Sequence, residues 1–104
     1  RLYELYDLAV EGRADGIFTE DNLVWVDEIK GMYRKIELFE EPYYVHKAQA
    51  MCYAYIFAWQ NSLDKIGVQM TYCNLDTEEI KRFREEYKFD DLEKWFVELV
   101  ASYR

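Results

Sequence analysis

Apolar residues recur at helical spacing most clearly over 45–60, where Ala48, Cys52, Tyr55, Ile56 and Trp59 fall three or four residues apart or a multiple of that. Alanine, the strongest helix former, fills much of the remainder. The spacing predicts an α-helix over 45–60. Upstream, 17–26 reads as two strands about a short polar turn at Asp21 and Asn22. Residues 1–10 are expected to be strand with a break near Asp7. Residues 11–18 continue it, with Gly12 at a bulge or a close approach. The partner strand is 23–30, and Gly31 is expected to end it. A loop or lid is expected over 32–44, with Glu40, Glu41 and Pro42 marking the start of the next helix.

Downstream of the helix, 61–65 is a turn. Alternation over 66–75 places Val68, Met70 and Tyr72 on one side of a strand. Residues 77–89 suit either period: Phe83, Tyr87 and Phe89 fit a strand, and Ile80, Phe83 and Tyr87 fit a helix. Strand is the preferred reading. An amphipathic helix is predicted over 90–103, with Leu92, Phe96, Leu99 and Val100 inward and Asp90 as its N-cap. The order of elements predicts an α/β sandwich around a mixed sheet.

Closing the hairpin so that Glu20 pairs with Leu23 fixes a register in which Asp15 lies opposite Glu28. Directly opposed side chains have Cβ atoms roughly 4.5–5.5 Å apart, so the two carboxylates repel unless a cation sits between them. A hard divalent cation prefers such oxygen ligands. Side chains alternate along a strand, so Lys30 shares the face of Glu28 while Asp27 points away. On the helix, Gln49 and Tyr53 sit four residues apart and can reach one site together.

Composition narrows the classes. The chain has 104 residues, 51% hydrophobic and 18% aromatic, enough for one packed domain over 1–104. Its longest apolar run is too short to span a bilayer, so no membrane partner is expected. Without a secretory signal, a cytoplasmic location is expected. Cys52 and Cys73 match no zinc spacing and are expected as reduced core residues. A net charge of −8 argues against broad nucleic-acid binding. The charge is uneven, however. Arg13, Lys30, Arg34, Lys35, His46 and Lys47 lie near the candidate site in sequence, while Glu78, Glu79, Glu85, Glu86, Asp90, Asp91, Glu93 and Glu98 crowd the last third. A locally basic cleft on an acidic body can hold DNA through a few phosphates.

Three signatures in order, Gly12 with Asp15, Glu28 with Lys30, and Gln49 with Tyr53, resemble the PD-(D/E)XK nuclease superfamily in its RecB-like branch. More narrowly, 10–17, 27–31 and 68–75 resemble the nuclease-like module that precedes the motor of some bacterial DinG/XPD-type helicases. The resemblance implies a restriction-endonuclease-like mixed sheet flanked by helices. It implies a metal-dependent DNA nuclease, an exonuclease, that hydrolyses phosphodiesters in DNA repair or recombination. Its partners would be single-stranded DNA or duplex ends, and a helicase domain in the same or a partner chain.

By the same resemblance, Asp15 and Glu28 would ligate Mg²⁺ or Mn²⁺, with the carbonyl of Ile29 as a further ligand. Lys30 would orient the attacking water or stabilise phosphate charge. Gln49 and Tyr53 would join the catalytic set by positioning the nucleic-acid backbone or Lys30, and His46, one turn before Gln49, would touch the same phosphate. From their places near the site rather than from the resemblance, Arg13, Arg34 and Lys35 are expected to line the approach of nucleic acid, with Arg34 and Lys35 either phosphate contacts or solvated loop charges. The chain departs from the pattern in two ways. No upstream helix carrying a Glu or His metal ligand precedes Arg1, so either that helix is expected outside this chain, as in a fragment of a longer domain, or the site is incomplete. Two cysteines cannot supply the four that hold an iron–sulfur cluster in some relatives, so none is expected in this segment. Alternatives are a catalytically inactive DNA-binding accessory domain of a helicase, and a protein-interaction domain using its acidic surface.

Overall fold

A computed structural model of the chain describes residues 14–33 and 44–102. The expectations for 1–13 and 34–43, including Gly12, Arg13, Arg34, Lys35 and the helix start at Pro42, lie outside the described residues. Six elements follow one another: β1 (Gly16–Glu20), β2 (Leu23–Met32), α1 (Tyr44–Gln60), β3 (Lys65–Asn74), β4 (Ile80–Lys88) and α2 (Phe89–Ala101). The strands form one sheet in the order β1-β2-β3-β4. The outer pairs are antiparallel and the central β2–β3 pair is parallel. The architecture is therefore α/β with a mixed sheet, and α1 forms part of the crossover that a parallel pair requires.

One face of the sheet and both helices share a core. Val26, Ile66, Val68, Met70 and Tyr72 from the strands meet Ala50, Met51, Ala54 and Ala58 of α1 and Leu92 of α2. The alanine-rich side of α1 lets the helix lie close to the sheet. The other face is largely polar and satisfies itself. Thr71 donates to Asp27 (2.8 Å), Gln69 to Thr71 (3.3 Å), and Arg84 to both Gln69 and Glu20. Trp25, 6% exposed, lies across Gly67 on this face, where a Cβ would run into the indole ring.

Several boundaries differ from the sequence expectations. Gly31 does not end β2, which continues to Met32 because its parallel pairing with β3 runs on through Gly31–Cys73 and Met32–Asn74. The expected loop therefore begins later, and Tyr44 already belongs to α1. The ambiguous stretch is strand, paired from Lys65–Lys88 to Cys73–Ile80. Asp90 is not the cap of α2. The helix starts one residue earlier, with extended Lys88 at the cap position and no side-chain cap. The Phe89 amide instead donates to the Asp64 carbonyl (2.7 Å), and Asp90 and Asp91 occupy the first turn, where the helix dipole favours acids. No helix among the described residues is long and apolar enough to cross a membrane.

Candidate metal centre

The hairpin turn sets the site. Asp21 and Asn22 have φ of 53° and 65°, the left-handed pair of a two-residue turn whose twist matches the flanking strands. Glu20 consequently pairs with Leu23, and the ladder runs back to Gly16–Asp27. One residue beyond it, Asp15 stands opposite Glu28. Its Oδ2 accepts the Ile29 amide at 2.7 Å, so the side chain continues the ladder where the backbone leaves it.

Glu28 is buried, 6% exposed, on the face that carries the helices. Among the described residues its Oε2 has no hydrogen-bond partner. Its Oε1 lies 3.9 Å from the Lys30 ammonium, too long for a hydrogen bond. Burial above all, then the adjoining Asp15 carboxylate, pushes the Glu28 carboxyl up to about 7, against a smaller opposing pull from Lys30. A buried, unpartnered carboxylate oxygen beside a second carboxylate is a costly arrangement for the bare protein.

Helix α1 brings three further groups over this face. The Tyr53 hydroxyl is pushed above its ordinary pKa, first by burial and then by the charges of Glu28 and Asp15, which places it in the field of both acids. About two turns earlier, His46 Nδ1 lies 3.0 Å from the Tyr72 hydroxyl. Its pKa is lowered by burial first and then by Lys30. Gln49, half-buried, stands between them on α1 and makes no hydrogen bond among the described residues. Asp27 points to the opposite face, as alternation requires.

The arrangement thus gathers Asp15, Glu28, Lys30, His46 and Tyr53. Tyr72 joins them as a residue the sequence reading treated only as an inward strand position. The parallel register pairs it with Lys30, and no local pattern encodes that register. The Ile29 side chain is 49% exposed on the other face. Its amide faces Asp15, and since the N–H and C=O of one strand residue project from the same edge, its carbonyl lies on the Asp15 side as well.

Among the described residues no cluster of three or more His, Cys, Asp or Glu side chains could enclose a metal. The available set is two carboxylates and a carbonyl. That suits Mg²⁺, which keeps several waters and binds through one or two carboxylates. The unpartnered Glu28 oxygen is the observation by which the residues present fit such an ion. Set against known protein families, curated proteins and solved structures, the chain matches none.

Proposed function

We propose that this chain is a Mg²⁺- or Mn²⁺-dependent deoxyribonuclease domain of PD-(D/E)XK type, built on a restriction-endonuclease-like version of its mixed α/β fold and working beside a helicase domain. The observation that carries the reading is Glu28: buried, raised to about 7, one oxygen unpartnered, next to Asp15 and on the face of Lys30. A divalent cation held there supplies activation of water and neutralisation of the charge that develops on a phosphodiester.

The chain's own groups divide the remaining work. Asp15, anchored by the Ile29 amide through one oxygen, keeps the other for ligation. Lys30, with a side chain 31% exposed, can reach solvent and donate to a phosphate oxygen from beside Glu28. Tyr53, like any tyrosine, is protonated at neutral pH, and burial with the two carboxylates only strengthens this, so it serves as a donor toward the same space. His46 is neutral there because its pKa is lowered, and Tyr72 fixes its ring.

Incubation with single-stranded DNA tests the reading. Cleavage is expected with Mg²⁺ or Mn²⁺, none with EDTA, and only background from Glu28→Gln. Cleavage that persists in EDTA, or in the variant, overturns it. DNA binding without cleavage in either metal would assign the inactive accessory role.

A further inference from the structure

The sheet register places a second row of functional groups one step beyond the carboxylates. Lys30 of β2 pairs with Tyr72 of β3, and Tyr72 pairs with Lys81 of β4. Paired residues share a face, so all three project on the helix-bearing side. Strands are 4.7–4.9 Å apart, which separates the Lys30 and Lys81 Cα atoms by roughly 10 Å. The neighbouring row is Glu28, Met70 and Phe83. Lys81 Nζ lies 5.5 Å from the Phe83 ring centroid, so the ammonium leans along β4 toward the row that contains Glu28.

Between the two lysines lies a buried aromatic pair. The Tyr72 ring, 1% exposed, meets Phe83 edge-on with centroids 5.9 Å apart, and its hydroxyl is held by His46 from above. Lys47 pairs with Glu85 on this face, and Arg84 with Glu20 on the other. Lys81 has no acidic partner among the described residues. It leans on the Phe83 ring, an aromatic face that holds an ammonium without neutralising it. On a chain of net charge −8, a cation without an acidic partner among the described residues, in line with the candidate site, marks a place for an anion.

We propose that Lys81 binds a DNA phosphate neighbouring the one cleaved at Glu28 and Lys30, so that the strand passes from the β2 side to the β4 side above the buried Tyr72. This rests on the nuclease reading and specifies its substrate as a polynucleotide rather than an isolated nucleotide. Phosphates of one strand recur every ~3.4 Å of duplex axis, so a row roughly 10 Å long spans more than one of them. The charge at Lys81 thus sets affinity along the strand, while Lys30 acts at the reacting phosphate.

The test is fluorescence anisotropy of a short labelled single-stranded DNA across roughly 50–200 mM salt. Ca²⁺ replaces Mg²⁺ in this arm, and Mn²⁺-dependent cleavage by the unsubstituted protein is measured in parallel. Lys81→Ala should weaken binding roughly two- to fivefold, the scale of one exposed ion pair. It should also lower the salt slope by about 0.7, the value for one single-strand phosphate. Lys81→Arg should retain both. Arg82→Ala, one residue on and facing the other side, should leave the slope in place. An unchanged slope in Lys81→Ala, or an equal loss in Arg82→Ala, overturns the strand path. Cleavage with an unchanged slope discards Lys81 and leaves the nuclease. A lost slope without cleavage discards hydrolysis and leaves the strand path, and no DNA binding at all discards both.

Discussion

Replacing Glu28 with Gln should make the metal-free protein more stable at neutral pH, by an amount that depends on pH in a defined way. Glutamine keeps the shape of the protonated acid and removes the charge. The Glu28 carboxyl stands at about 7 in the folded chain against an ordinary 4.5. At ~1.4 kcal/mol per pH unit, the folded state loses about 3 kcal/mol once both forms are ionised. The sign follows from proton binding. Between 4.5 and about 7 the folded state holds the proton and the unfolded state has lost it, so stability falls as pH rises through that window and levels off above it. At 6% exposure, solvent does little to screen this cost. Urea unfolding of both proteins in EDTA at pH 5 and pH 8 measures it. The advantage of Glu28→Gln should grow by about 2–3 kcal/mol between the two. A gap that is the same at both values would show that Glu28 is solvated, and the argument for a cation at its unpartnered oxygen would fall with it. Adding Mn²⁺ at pH 8 should reverse the order, since the ion stabilises only a chain that can ligate it.

Three further outcomes are expected. Isothermal calorimetry with Mn²⁺ should show binding that Asp15→Asn removes, because the opposed carboxylates are the acidic pair that the described residues bring to the site; equal affinity in the variant would place the ion elsewhere. Lys30→Ala should lower DNA cleavage by orders of magnitude with metal affinity retained, and it should raise the pKa of His46, which Lys30 holds down. His46 is the only histidine, so its NMR titration reports this directly, and an unmoved titration would separate the two residues. Gly67→Ala should destabilise the domain by roughly 1–3 kcal/mol, the cost of overpacking, since its Cβ would meet the Trp25 ring; an unchanged urea midpoint would mean that Trp25 does not rest on that glycine.

The candidate site divides between what local chemistry encodes and what only the folded sheet supplies. The Asp21–Asn22 turn, the alternation of Glu28, Lys30 and Asp27, and therefore the opposition of Asp15 and Glu28 follow from the chain itself. A two-residue turn admits one register, and a period of two assigns every side chain to a face. The α1 helix and the stripe of His46, Gln49 and Tyr53 were legible for the same reason, since a period of 3.6 is a local property.

The end of β2 was not legible. Gly31 is a local stop signal, and pairing with a strand more than forty residues away overrode it. Nor was the start of α2, where the Asp64 carbonyl engages the first amide and Asp90 is left without a capping role. The neighbours of Lys30 depended wholly on tertiary structure. Tyr72 and Lys81 reach its row only through the parallel register of β2 with β3 and the antiparallel register of β3 with β4. A crossover through a helix fixes no register locally, because its length and path are set by packing against the sheet. The burial that raises Glu28 likewise exists only once α1 lies over the strand, and no single residue announces it.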